Sequence, residues 1–248
     1  MKDHILEMKL LKGTEIDVEG LKIKPHTLEE LIEEVTLEEY YKCIGFVSIQ
    51  KKELNEFFHL DGELYEKTSV YQMLLYHELL AQYLVDFFKL VTRNDEVYYF
   101  SQWQSIAVEY EEENRRVIIQ ADNIDSIVKT ILKAYCIAEA KEEKDEFNPA
   151  NEQARKLMEQ IRKNRAKAPK PKTNVDLTSI ISAVAWRSHS LSIVDVWKLT
   201  LYQLYDAFYR LDIIDNYDKT LTAVYAGTID SKAIKMDKQI WYRRSDSK

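Results

Sequence analysis

The sequence predicts an α+β protein, predominantly α-helical, with small antiparallel β elements in an N-terminal mixed domain and an all-α C-terminal domain. Three observations carry that expectation. Only five glycines and four prolines occur in 248 residues, far below average usage, so helix breakers are scarce. Over most of the chain apolar residues recur at steps of three and four, the period of a helix face. Between residues 96 and 120 the composition shifts to short runs of β-branched and aromatic residues, which favour strands.

Taken in order, residues 15–18 and 21–23 flank Glu19-Gly20 and read as a hairpin that Pro25 ends. Thr27-Leu28-Glu29-Glu30 has the form of a capping box, opening a helix over 28–43 with a restart at Thr36, three residues before Glu39. Residues 70–90 predict one continuous helix with Met73, Tyr76, Leu80, Tyr83, Leu84 and Phe87 on its apolar face. Residues 97–100, 105–110 and 115–120 predict two or three antiparallel strands, the last two joined by a turn over 111–114. Asp122 or Asn123 then caps a helix whose face is Ile124, Ile127, Val128, Ile131, Leu132 and Tyr135. Asn148-Pro149 opens a further helix, asparagine as cap and proline where its missing N–H costs nothing.

That helix runs into a basic stretch with Pro169 and Pro171, whose self-repulsion and ring constraints suit an extended linker. The organisation expected is therefore an α+β domain over 1–147, a basic helix and linker over 148–175, and a helical domain over 176–248. Within the last, Asp176 caps a helix through Leu177, Ile180, Ile181, Val184 and Ala185. Residues 194–211 predict one helix, opened by Ser192 and Asp195, with Val194, Trp197, Leu201, Leu204, Phe208 and Leu211 on one face. A separate short helix over 217–226 ends at Gly227.

Composition narrows the function. An apolar fraction of 46% beside 31% charged residues belongs to a folded, soluble chain rather than a disordered one. No apolar run approaches the roughly 18–20 residues of a membrane span, and the first residues lack the apolar core of a signal peptide. A cytoplasmic protein with no membrane partner is the expectation. Cys43 and Cys136, far apart and outside any C-x-x-C pair, read as buried free thiols rather than a disulfide or zinc site.

No catalytic, cofactor-binding or metal-binding constellation emerges, and no enzyme is expected. His77-Glu78 is followed by Ala81 where a zinc-protease helix needs its second histidine. His189 has serines beside it and Asp195 downstream, but no glycine-bearing nucleophile elbow. Two groups remain. Tyr202, Tyr205 and Tyr209 border the apolar face of 194–211, with Trp197 on the adjoining face, and have the composition of interface anchors. They either seal the edge of the C-terminal core or present a protein-binding face. The second group is Arg155, Lys156, Arg162, Lys163, Arg165, Lys167, Lys170 and Lys172, eight cations against the single acid Glu159. Without interleaved aromatics to stack bases, and in a chain of net charge −7, they suit a solvated linker or a strip for an acidic protein surface better than nucleic acid.

The segment Lys22-Ile23-Lys24-Pro25-His26-Thr27-Leu28-Glu29-Glu30-Leu31-Ile32 and the run from Val196 to Leu211, set in this layout of mixed domain, basic linker and helical domain, resemble tail-module accessory proteins of bacteriophages and prophages of Gram-positive hosts. The resemblance implies a tail assembly chaperone, which keeps a helical partner such as the tape measure protein soluble until tail tube subunits polymerise around it. It carries over no catalytic residues. The chain is longer than many such chaperones, which leaves a structural tail or baseplate subunit of the virion as the alternative. A nucleic-acid-binding regulator using the basic segment ranks below both. Oligomeric state is not legible.

Overall fold

The computed structural model describes residues 3–137, 176–228 and 240–242. The architecture is α+β and mostly helical, with antiparallel sheets of two and three strands in the N-terminal half and helices at the C-terminal end. Helix α1 (Asp3–Lys12) leads into the hairpin β1 (Ile16–Val18) and β2 (Leu21–Ile23), paired Ile16 to Ile23 and Val18 to Leu21. Glu19 and Gly20 both take positive φ, 54° and 87°, the pattern of a tight two-residue hairpin turn. The alternation expected of a half-buried hairpin is present: Ile16, Val18, Leu21 and Ile23 point inward.

Helices α2 (Leu28–Glu33) and α3 (Leu37–Val47) are the anticipated pair, broken at Thr36, whose hydroxyl accepts the Glu39 amide. Two short helices follow, α4 (Lys51–Phe58) and α5 (Gly62–Lys67). The helix expected over 70–90 is instead two, α6 (Val70–Tyr76) and α7 (Glu78–Thr92), divided at His77, which is extended at φ −113° and ψ 118°. The division turns α6 so that Met73, Leu74 and Leu75 are all buried, while Tyr76 and Tyr83, expected on the apolar face, are exposed. Strands β3 (Val97–Phe100), β4 (Ser105–Tyr110) and β5 (Arg115–Ile119) form the three-stranded sheet in sequence order. Helix α8 (Ile124–Ala134) then buries Ile124, Ile127, Val128, Ile131 and Leu132, the face read from the sequence. Asn123 precedes it but caps the strand end instead, accepting the Gln120 amide and donating to the Ile118 carbonyl.

Beyond the undescribed segment come α9 (Leu177–Arg187), capped by Asp176 as expected, α10 (Ile193–Val196) and α11 (Leu201–Tyr225). The expected continuous helix over 194–211 is thus interrupted. A turn at residues 197–200 ends α10, and Thr200 restarts the chain with a capping box in which its hydroxyl accepts the Gln203 amide and the Gln203 side chain accepts the Thr200 amide. Once restarted, α11 does not stop near 211. It runs about 37 Å in one piece and absorbs the separate helix expected at 217–226.

One buried core runs through the described elements. Phe87 and Phe88 of α7 are among its largest fully buried side chains, and Ile180, Val184, Val196, Leu201 and Leu204 of the C-terminal helices belong to the same packed cluster as α1, the hairpin and α8. Ion pairs stitch its periphery: Lys133 of α8 to Glu7 of α1 at 3.2 Å, and Arg187 of α9 to Asp215 of α11. At the α1–β1 corner, Gly13 takes φ +70° and a Cβ there would lie 3.0 Å from the Gln203 amide nitrogen. That amide donates to the Leu11 carbonyl at 2.9 Å, tying α11 to α1. Gly13→Ala is therefore expected to cost about 1–2 kcal/mol, from the left-handed backbone and from the displaced Gln203, and a urea unfolding curve measures it.

Candidate functional site: the seam between the hairpin–helix turn and the C-terminal helices

Elementary hydrogen-bond accounting locates the seam. The first amides of a helix have no intrahelical acceptor. In α2 the Thr27 amide donates to Glu30 Oε2 at 2.7 Å and the Glu30 amide to Thr27 Oγ1 at 3.3 Å, closing the capping box legible in the sequence. The two amides between them look outward. Leu28 N–H donates to the Leu199 carbonyl at 2.9 Å and Glu29 N–H to the Trp197 carbonyl at 3.0 Å, while Thr27 and Thr200 form an antiparallel bridge. The turn between α10 and α11 is therefore the missing acceptor set of α2. The break in the predicted helix leaves these carbonyls free to accept from α2.

Behind this turn lies a polar cluster that sequence reasoning missed, buried at His26 and Tyr135 and open to solvent at Arg93. His26, only 3% exposed, shares a 2.8 Å hydrogen bond through Nδ1 with the Tyr135 hydroxyl at the end of α8. Arg93, following α7, grips Glu30 through both guanidinium nitrogens, Nη1 to Oε1 at 2.8 Å, and Nη2 also reaches the Pro25 carbonyl at 3.4 Å. The guanidinium holds the Glu30 carboxyl down at about 2. Burial, with the Arg93 charge adding to it, pushes His26 down to about 4, so the ring is neutral near pH 7. Burial raises Tyr40 and Tyr135, which keep their protons throughout the physiological range. His26 and Tyr135 are 109 residues apart, and no local pattern links them.

From this cluster an aromatic series leads outward. The Tyr40 ring lies 6.0 Å from Tyr135 and 5.6 Å from Tyr41, and Tyr205 stacks on Tyr209 at 6.4 Å. Burial raises Tyr205, and Cys136 and Tyr41 are among the groups acting on it. The tyrosine border of α11 thus divides along its length. Tyr202 is core at 4% exposed, Tyr205 is half-buried in the seam, and Tyr209 is exposed at 48%. Trp197 sits elsewhere, half-buried in the wall of an apolar cleft between α2 and the α9–α10 pair. The three tyrosines share one helix, but Trp197 lies across the break from them. Val194, placed on the apolar face by the sequence, is exposed.

Cys43 and Cys136 are not joined in a disulfide and are half-buried rather than fully buried, and burial pushes the Cys43 thiol up to about 11. His189 is exposed. Among the described residues no three His, Cys, Asp or Glu side chains group as metal ligands, and no helix is long and apolar enough to cross a membrane. The helix expected at Asn148-Pro149 and the basic residues Arg155, Lys156, Arg162, Lys163, Arg165, Lys167, Lys170 and Lys172 lie outside the described residues.

No curated protein and no solved structure matches the chain. Residues 167–246, roughly a third of the sequence and the part that carries α9, α10 and α11, match the family described as the YomV second domain. That family is phage- and prophage-associated, in agreement with the phage association expected from the sequence.

Proposed function

We propose that this chain is a non-enzymatic, phage-encoded assembly factor: a tail assembly chaperone that binds a helical partner such as the tape measure protein and keeps it soluble in the host cytoplasm. The observation that carries the reading is the aromatic surface of the segment similar to the phage-associated family. Trp186 is 82% exposed and Tyr225 84%, and Tyr209 and Val194 are exposed with them. Rings this large are normally drawn out of water, and their enrichment on a surface is typical of protein interfaces. The net charge of −7 keeps such a surface soluble before its partner arrives.

The docked C-terminal helices give the binding a rigid platform. An aromatic side chain held by a packed helix loses little further freedom when a partner covers it, which lowers the entropic cost of association. Co-expression with the tape measure protein of the same phage genome tests the reading. Expected is a soluble complex recovered through a tag on this chain, with the partner insoluble when expressed alone. Recovery of this chain at fixed stoichiometry in purified particles would make it a virion structural subunit instead, and failure to solubilise any tail protein would end the chaperone reading.

A further inference from the structure

We propose that the outward face of α1 docks an acidic amphipathic helix of the protein partner, its apolar stripe lying on Ile5, Met8 and Leu11 and its carboxylates meeting Lys9 and Lys12. The proposal rests on the protein-binding reading above and adds to it a second surface and a charge class.

Helix α1 is apolar on two sides. Leu6 and Leu10, four residues apart, are buried in the core. Ile5, Met8 and Leu11, at steps of three, make a second row on the opposite side, each between 48% and 58% exposed. A helix at a protein surface ordinarily turns a polar face to water, and one that is apolar all round is ordinarily buried. Single exposed aliphatic side chains need no explanation, but three neighbours along the water-facing side of a helix about 15 Å long form a patch.

Charge selects the occupant, and the charged groups stand beside the apolar row itself. Lys12 follows Met8 by four residues and Lys9 follows Ile5 by four, so each cation is a surface neighbour of an exposed apolar group. Lys12 is exposed and Lys9 half-exposed, and neither has an ion-pair partner among the described residues. Lysines on the adjoining elements are engaged: Lys24 with Glu15 at 3.8 Å and Lys133 with Glu7 at 3.2 Å. Glu7 of α1 is thereby committed to α8, and the exposed row carries cations without a carboxylate. A second copy of this face would bring lysines against lysines. An anionic bilayer calls for clusters of about four to eight cations and would repel a chain of net charge −7. The acidic stretch 139–146 offers carboxylates but no large apolar side chain. An acidic amphipathic helix supplies both the apolar stripe and the charge.

The test uses the full chain and two synthetic helical peptides with the same leucine stripe, one flanked by glutamates and one by lysines, titrated by fluorescence anisotropy. The glutamate peptide is expected to bind about tenfold more tightly than the lysine peptide at low salt, with the margin narrowing as salt rises. Lys9→Glu with Lys12→Glu should reverse the preference. Met8→Ser leaves both lysines in place and should weaken the glutamate peptide about tenfold, because the centre of the apolar row is lost. Met8 is more than half exposed, so the variant should still fold, and circular dichroism checks that it does. Equal binding of the two peptides, or undiminished glutamate-peptide binding by Met8→Ser, overturns the proposal. Binding that appears only when Glu139, Glu142, Glu143, Asp145 and Glu146 are all changed to glutamine overturns it too, since that stretch would then be the occupant. So does cosedimentation of the chain with phosphatidylserine vesicles that Met8→Ser abolishes. If a co-expressed tail protein is held equally well by the Lys9→Glu, Lys12→Glu variant, the α1 assignment falls and the assembly role stands. If the glutamate peptide behaves as expected but no tail protein is recovered, the assembly role falls and the α1 assignment stands.

Discussion

Replacing Tyr202 by alanine is expected to cost about 3–5 kcal/mol of folding stability, while the same change at Tyr209, seven residues along the same helix, should cost about 1 kcal/mol or less. Tyr202 is buried in the first turn of α11, beside Leu201 and Leu204, in the core cluster shared with α1 and α8. Removing its ring leaves a cavity where the surrounding elements are pinned by the Leu28–Leu199 and Gln203–Leu11 hydrogen bonds and cannot collapse. Tyr209 loses mainly its stacking on Tyr205 and its edge contact with Phe208 at 5.9 Å. For a chain of this size the Tyr202 change corresponds to a fall in Tm of about 6–20 °C.

Partner binding should show the opposite order. Tyr209→Ala is expected to weaken capture of the helical partner about tenfold or more, as truncation of an exposed aromatic anchor does. In the folded fraction of Tyr202→Ala, affinity should be unchanged. Thermal melts and binding titrations on the same two variants measure both. A Tyr202 variant that melts normally but fails to bind would mean that this ring reaches the partner, and the division of labour along α11 would be wrong.

Much of the fold was legible because local hydrogen bonding dictates it. The capping box of Thr27 and Glu30, the restart at Thr36, the Asp176 cap, the Glu19-Gly20 turn and the three strands all follow from residues within three or four positions of one another. The two missed helix breaks share one cause. A 3.6-residue apolar period survives a short turn, so it reads straight through His77 and through residues 197–200. For the second break a signal was present: Thr200 and Gln203 make a capping box of the same form as Thr27 and Glu30, hidden inside an apolar run that suggested helix on both sides. At His77 no side chain caps the new helix, and the break is imposed by packing.

The candidate site was less legible for the same reason. The seam joins the 25–30 segment, Arg93, Tyr135 and the 197–200 turn, four stretches that meet only in the folded chain. Sequence singled out Tyr202, Tyr205 and Tyr209 by their place on one helix, but their burial depends on where α1, α3 and α8 lie against it.

Acid is expected to loosen the seam through His26, removing about 3 kcal/mol of stability between pH 7 and pH 4. In the unfolded chain this histidine takes up a proton near its ordinary value of 6.5, whereas in the fold it resists protonation until about 4. Between those two values the unfolded state binds the extra proton, so stability falls as pH falls through the window and is insensitive to His26 above it. Among the groups acting on the ring, Arg93 opposes a second positive charge, Glu30 partly offsets that, and Tyr135 stays neutral across the range. Glu30, held near 2, adds its own loss only below its ordinary value of 4.5, a lower and separable window. His26→Gln keeps a hydrogen-bonding group near the Tyr135 hydroxyl but cannot titrate. Urea unfolding from pH 7 to pH 4 should therefore slope steeply for the natural chain between 6.5 and about 4 and run flatter for the variant, with the two converging in shape below pH 4. Parallel curves across that window would mean that the His26–Tyr135 contact opens to water before the chain unfolds, and that the seam is no fixed part of the native fold.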